Sequence, residues 1–474
     1  MTDPRPAAVI VLAAGEGTRM RSALPKVLHP ICGRAMVGHV VAAAQALAPE
    51  HLIVVVGHGR EAVTAHLGDV APTAVPVVQA EQNGTGHAVR LALEAVSQPS
   101  GTVVVVPGDA PLLTPGTLAD LVRHHESTGS ATTLLTADLA DPTGYGRVVR
   151  AADGSVARVV EHRDASPAVL AVSEVATSVY AFSLPALRTA LDGIGTANAA
   201  GEEYLTDVIG VQVDAGLPVA AHQAGEATET MGVNDRVQLA QAQDLLRNRI
   251  LRSWMLAGVT VSDPQSTWVG VDVILAADVT LHPSTRLEGS TVVQGGAVIG
   301  PDTTLIDSEV GERSRVLKSH CDGAVIGPDV AVGPFTYLRP GTRLDPRSKA
   351  GAYVEMKAAH LGEGSKVPHL AYVGDAVIGA GSNIGAGTIV VNYDGQAKHR
   401  TTVGDNVRVG SNNSLVAPVT VHDGAYTAAG SAITEDVPAG AIGVARARQR
   451  NIEGWVARRR QGPASTAPTT EEGP

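Results

Sequence analysis

Residues 269–287 read VGVDVILAADVTLHPSTRL, and Val269, Leu275, Leu281 and Leu287 fall on every sixth position. The beat continues through Val293, Ile299 and Leu305, slips, and resumes as Ile326, Val332, Leu338 and Leu344. It returns as Ile378, Ile384 and Val390, then as Val403, Val409, Leu415 and Val421, with Ile433 after one Thr. Two positions before many of these stands a small or β-branched residue: Val273, Val279, Thr285, Thr291, Ala297, Thr303. Positions i−2 and i share one face of a strand, so each hexad sends one small and one large residue inward. Gly, Pro, Asp and Asn fill many other positions and punctuate turns, as in Gly327-Pro328-Asp329 and Gly404-Asp405-Asn406. A helix needs a period of about 3.6 residues and is destabilised by this much Gly and Pro. Short strands joined by tight corners at a fixed period predict a parallel β-helix.

A chain of 474 residues is too long for one ordinary core, so two or more domains are expected. Aromatic residues make up only 3%, which suits the narrow aliphatic interior of a β-helix. The formal net charge of −11 argues against a nucleic-acid partner. Cys32 and Cys321 are the only cysteines, so no disulfide framework is expected. No apolar run approaches the ~20 residues of a membrane span, so no membrane partner is expected. The short run Ala7–Ala14 leads straight into a Gly-rich turn, as a buried strand does and a signal peptide does not. The expected compartment is the cytoplasm.

Ahead of the repeat, Val9-Ile10-Val11-Leu12 is a continuous apolar run, as in a strand buried on both faces. Leu52–Val56 and Val103–Val106 repeat the pattern, with helix-like stretches between. This alternation predicts an α/β domain with a parallel sheet, whose ligands bind beyond the carboxyl ends of the strands. The first strand runs into Ala13-Ala14-Gly15-Glu16-Gly17-Thr18-Arg19-Met20. A dinucleotide fingerprint needs a third glycine where Met20 stands, and a Walker A loop needs a Gly-Lys-Ser/Thr that is missing. What remains is a loop whose backbone N–H groups can surround phosphate oxygens, with Arg19 and Lys26 adding positive charge.

Val103–Val106 ends in Pro107-Gly108-Asp109. A carboxylate at a strand's carboxyl end is placed to hold Mg²⁺ near a triphosphate, and it is equally an ordinary turn residue. Gly232-Val233-Asn234-Asp235 opens an apolar stripe of Leu239, Ala242, Leu246, Ile250, Trp254 and Ala257, which ends at Gly258. This predicts a helix linking two domains, entered by a capping box of Asp235 and Gln238. Two stretches interrupt the hexad beat. One carries Arg339, Glu355, Lys357, His369 and Tyr372, and the other is Asn392–Arg400. Loops that break a solenoid are usually functional or partner-binding. The segment Arg446–Arg460 is basic, either meeting an anionic ligand or solvated. From Gln461 onward, Pro, Thr and Glu predict disorder.

The repeat resembles the left-handed β-helix of hexapeptide-repeat acyltransferases. The stretch Leu12–Met20 with Leu24-Pro25-Lys26 resembles the signature of sugar-1-phosphate nucleotidyltransferases, and Gln79–Ala88 resembles the uridine-reading segment of uridylyltransferases. Residues 7–455 together resemble the family of bifunctional N-acetylglucosamine-1-phosphate uridylyltransferase/glucosamine-1-phosphate N-acetyltransferases. That resemblance implies an α/β Rossmann-like nucleotidyltransferase domain (1–231), a helical linker (232–262) and a left-handed parallel β-helix of hexapeptide repeats (263–450), and composition makes 451–474 a disordered C-terminal tail. It gives the nucleotide and sugar contacts to Leu12, Ala13, Ala14, Gly15, Arg19, Lys26, Gln79, Gly84, Thr85, Gly108, Gly146 and Glu161, and Mg²⁺ to Asp109 and Asn234. It makes His369 the base of acetyl transfer. Glucosamine-1-phosphate falls to Arg339, Lys357, Tyr372 and Asn383, and acetyl-CoA to Ala386, Asn392, Tyr393, Ser411, Ala429 and Arg446.

The same resemblance implies UTP and N-acetylglucosamine-1-phosphate as further substrates, UDP-N-acetylglucosamine as the product, and a homotrimer with the acetyl-transfer site between subunits. Three departures stand out. Ala176-Thr177-Ser178 replaces a usual Asn-Thr-Gly, Pro107 a usual Tyr, and Asn83 a usual Leu. Two rival readings are a single-function nucleotidyltransferase with a structural or regulatory β-helix, and a non-enzymatic trimeric scaffold.

Overall fold

Ala8 and Ile10 face one apolar cluster while Val9 and Val11 face another, so the strand Ala8–Ala13 is buried on both sides. It pairs in parallel with His51–Val56 and with Thr102–Pro107. The computed structural model describes residues 5–460. These form two compact units that divide after Val292.

In the first unit the sheet order is Val219–Gln223, Thr132–Asp138, Glu174–Ser183, Thr102–Pro107, Ala8–Ala13, His51–Val56, Val75–Val78. The sheet is mixed where sequence reading expects a parallel one. Glu174–Ser183 runs antiparallel to both its neighbours. A parallel return needs a crossover, usually a helix. The chain before Glu174 instead folds into the antiparallel hairpin Gly146–Arg150 and Val156–Val160, followed by only the short helix Pro167–Leu170.

The linker helix spans Arg236–Leu256. The Asp235 carboxylate caps it by accepting from the N–H groups of Val237 and Gln238, both at 2.9 Å. The Gln238 side chain reaches back to the N–H of Asn234 at 2.7 Å, one residue earlier than a capping box predicts. Val259 N–H closes the far end on Trp254 O at 3.0 Å, with Gly258 left-handed between them. Leu239, Ala242, Leu246 and Ile250 pack as expected against Ile31, Met36, Leu112 and Val233. Trp254 and Ala257 do not complete the stripe, because Leu251 is the buried residue in the last turns. The unit ends with the first turns of the repeat, where Thr260–Val261 pairs with Thr280–Leu281 and Trp268–Val269 with Arg286–Leu287. Among the described residues no helix is long and apolar enough to cross a membrane.

The second unit is a parallel β-helix. Val310, Ile326, Leu344, Leu361, Ile378, Val403 and Val421 stand in register on successive coils, and all are buried. The stack keeps water from a continuous apolar column that no single coil could bury alone. Corners bring backbone against backbone. A Cβ on Gly311 would lie 2.6 Å from the carbonyl carbon of Gly327.

The apparent slip after Leu305 is a shortening of corners. Val310, Val316 and Cys321 carry the inward positions on to Ile326. The first expected interruption is likewise coil. Ala350, Met356, Leu361, Val367 and Val373 point inward through it, and His369 ends the strand Lys366–His369. Asn392–Arg400 does leave the coil, as a small hairpin closed by a Tyr393–Lys398 bridge. Of the expected tail, Trp455–Arg460 is a short exposed helix, and residues 461–474 lie outside the described residues.

Candidate active sites

A pocket of about 420 Å³ opens in the first unit at the carboxyl ends of Ala8–Ala13 and Thr102–Pro107. Leu12, Ala13, Ala14, Gly15 and Arg19 form one wall. Gly108 stands just behind it, its N–H donating to Leu12 O at 2.8 Å. Gln79, Gly84 and Thr85 form a second wall. The Gln79 side-chain N–H₂ donates to Gly84 O at 3.0 Å. Gly84 holds a positive φ of 106°, and a Cβ there would stand 2.8 Å from the Glu203 nitrogen. Thr85 Oγ1 accepts from Leu205 N–H at 3.0 Å, which docks the Glu202–Asp207 segment on this wall.

Gly146 and Glu161 lie opposite. Thr206 donates to Glu161 Oε1 at 3.0 Å. Burial pushes the Glu161 carboxyl above the usual carboxylate range, and Asp207 and Asp164 add to the rise. Sequence reading did not single out Gln82, whose side chain donates to Ala14 O at 2.8 Å and ties the two walls together. It also passed over Tyr145, whose hydroxyl accepts from Gly232 N–H at 3.4 Å. Ala176, Thr177 and Ser178 line the same pocket. Ser178 sits at φ 63° beside a register shift in its strand, a conformation that a glycine adopts without strain.

Asp109 and Asn234 converge on one point, occupied by the Lys26 ammonium. Lys26 pairs with Asp109 and donates to Asn234 Oδ1 at 2.7 Å. A carboxylate and an amide oxygen meeting at one cation are the hard donors Mg²⁺ takes, with substrate phosphates and water completing its shell. These residues therefore fit the metal. Among the described residues no group of three or more His, Cys, Asp or Glu side chains is arranged to hold one.

The second candidate site lies on the β-helix. Tyr337, Glu355 and Tyr372 stand in register on successive coils of one sheet. Arg339 donates to Glu355 Oε1 at 2.9 Å, so within one chain this carboxylate is engaged by Arg339. Lys357 lies 3.5 Å from Asp375, which also accepts from the Asn392 amide. The Lys398 amine, which sequence reading did not single out, stands beside Lys357. The neighbouring amines share one proton less than two separate lysines would, which pushes Lys357 up and Lys398 down, and Asp375 further favours the charged Lys357.

His369 and Asn383 belong to the neighbouring sheet, and the single chain brings neither into hydrogen-bond contact with Tyr372. They begin a different alignment. Leu370 N–H donates to Ala352 O, Gly387 N–H to His369 O, Asn412 N–H to Ala386 O, and Gly430 N–H to Ser411 O. This corner ladder sets Ala352, His369, Ala386, Ser411 and Ala429 in one file along the coil axis. Apart from the imidazole the file is made of small side chains, and it forms an open shelf. Tyr393 and Arg446 are exposed. The residue before Arg446, Ala445, donates its N–H to Ser431 Oγ at 3.2 Å near the end of the file.

Residues 9–181 match the MobA-like NTP transferase domain family. Over 467 residues the chain is 56% identical to the bifunctional protein GlmU of Streptomyces avermitilis, covering 98% of this chain and 97% of that one. The chain belongs to the GlmU family. It is also 55% identical to GlmU of Kineococcus radiotolerans (98% and 94% covered) and 50% identical to GlmU of Corynebacterium glutamicum (97% and 95% covered). The bifunctional description of these GlmU proteins agrees with two candidate sites that lie on separate units and share no residue.

Proposed function

We propose that the chain makes UDP-N-acetylglucosamine by two successive transfers, acetyl first and uridylyl second. What carries this reading over a single-function nucleotidyltransferase is the file of His369, Ala386, Ser411 and Ala429 on the β-helix, present in a chain that also holds the nucleotide-type pocket.

In the first reaction Arg339 and Lys357 hold the phosphate of glucosamine-1-phosphate, and Tyr372 and Asn383 line its sugar. Lys357 stays charged for this task with Lys398 and Asp375 beside it. The small-residue shelf of Ala386, Ser411 and Ala429 takes the pantetheine arm of acetyl-CoA. Asn392 and Tyr393 flank it, and Arg446 meets its phosphates. An ammonium cannot attack a thioester. His369 takes the ammonium's proton, the amine nitrogen bonds the acetyl carbonyl carbon, the C–S bond breaks, coenzyme A leaves as a thiolate that takes the proton back from the imidazolium, and the amide nitrogen gives up its extra proton to water. The placement of His369 and Asn383 on a different sheet from Tyr372, with no hydrogen bond between them and Tyr372 within one chain, supports a homotrimer that closes the site between subunits. Phe335, Tyr353 and Leu370, at 52%, 60% and 61% exposure, supply an apolar corner for that contact.

In the second reaction Gln79, Gly84 and Thr85 hold the uracil of UTP, and the Leu12–Gly15 turn with Arg19 and Lys26 holds its phosphates. Gly146 and Glu161 position N-acetylglucosamine-1-phosphate. Asp109 and Asn234 would hold Mg²⁺, which would supply charge neutralisation between two anionic reactants. The sugar phosphate oxygen attacks the α-phosphorus and pyrophosphate leaves. The domains run 1–231, 232–262 and 263–450, with 451–474 as a tail, and the protein works in the cytoplasm. Mass spectrometry of a mixture with glucosamine-1-phosphate, acetyl-CoA and UTP tests the sequence of steps. UDP-N-acetylglucosamine should form, and omitting acetyl-CoA should stop it. Equal product without acetyl-CoA refutes the order.

A further inference from the structure

Lys26 holds the two oxygens that the uridylyl-transfer reading gives to the metal. Its ammonium pairs with Asp109 and lies 2.7 Å from Asn234 Oδ1. The side chains of Lys26 and Asp109 are only 11% and 23% exposed. All three partners sit on braced backbone. The left-handed turn at Gly17 packs on the Lys26 stem so closely that a Cβ there would stand 3.0 Å from Lys26 Cδ. Asp109 O accepts from Val233 N–H at 2.9 Å, and Gln238 holds Asn234 N–H at 2.7 Å. Two cations at bonding distance from the same oxygens repel, and the repulsion grows as water is excluded. The ammonium and a divalent ion therefore cannot share this pair.

We propose that Lys26 is a resident counter-cation that competes with divalent metal for Asp109 and Asn234. The metal then binds well only when an anionic phosphate draws the ammonium away. The inference rests on the reading of Asp109 and Asn234 as metal ligands. The stem of Lys26 lies against the glycine turn, so the displaced ammonium stays within the pocket that receives the triphosphate. Metal and nucleotide then favour each other's entry, and by linkage the effect is reciprocal.

The test is a Mn²⁺ titration of the full-length protein without nucleotide, read from the free-ion electron paramagnetic resonance signal. Lys26→Met and Lys26→Gln should each bind Mn²⁺ about tenfold more tightly than the parent, within the usual span of coupled sites. Lys26→Arg keeps the charge and should stay close to the parent. Circular dichroism checks each variant's fold, and either neutral variant suffices. Neutral variants that bind Mn²⁺ no better than the parent, while Asp109→Ala binds it worse than all of them, overturn the competition and leave the metal reading intact. Asp109→Ala binding as well as the parent overturns the metal reading and the competition with it.

Discussion

His369 stands in register with Ala352 at a corner of the coil, and its ring is exposed. On the next coil the same position is Ala386, so the base proposed for acetyl transfer heads the shelf proposed for acetyl-CoA. General-base help is typically worth about 10²–10⁴-fold in rate, on the order of 3–5 kcal/mol of barrier. His369→Ala should therefore cut acetyl transfer by about that range and spare uridylyl transfer. Asn at 369 keeps polarity, cannot take the proton, and should lose as much. Near-normal acetyl transfer by both variants at saturating substrate would remove His369 from the chemistry.

Asp109 gives the converse case. Asp109→Ala should abolish pyrophosphate release and leave coenzyme A release near the parent rate. The two candidate sites share no residue. Equal loss of both activities would mark a folding defect, and full uridylyl transfer would exclude Asp109 from the site.

The assembly is tested at the exposed corner. The rings of Phe335 and Tyr353 stack at 5.1 Å, exposed to solvent in a single chain. Light scattering should report a trimer. Tyr353→Asp should weaken it and lower acetyl transfer while uridylyl transfer continues. A monomer that transfers acetyl groups at the normal rate contradicts the shared site.

Glu161 sets a pH dependence. Unfolded glutamate titrates at about 4.3, and burial raises the folded value above it. The folded state then binds more protons than the unfolded state across the window between the two values. The stabilising contribution is fully present below the unfolded value and is lost as pH rises through the folded one. Glu161→Gln should thus gain thermal stability relative to the parent on going from acid to neutral pH, and should bind N-acetylglucosamine-1-phosphate more weakly. A melting-temperature difference that stays constant with pH would refute the buried-carboxylate account.

Much of this was legible in the sequence because the β-helix repeats one simple rule. Val269, Leu275 and Leu281 face inward as their spacing requires. The rule failed where corners shorten by a residue, so Val310, Val316 and Cys321 escaped a fixed six-residue count and the coil carrying His369 read as a loop. The antiparallel strand Glu174–Ser183 was not legible, because strand direction depends on the connection and not on the strand's own residues. In the pocket, every nucleotide or sugar residue named from sequence lines the cavity except Gly108, which backs it. Gln82 and Tyr145 were missed because their hydrogen bonds to Ala14 and Gly232 join segments far apart in the chain. The Lys26 contact with Asp109 and Asn234 is of the same kind.

The claim that both halves are catalytic is tested most directly by coenzyme A thiol release from acetyl-CoA and glucosamine-1-phosphate, with no UTP present. Thiol release should depend on the sugar phosphate, persist in Asp109→Ala, and fall by about 10²–10⁴-fold in His369→Ala. A folded protein that joins UTP to N-acetylglucosamine-1-phosphate yet releases no thiol in this assay would contradict the account. Its β-helix would then be structural.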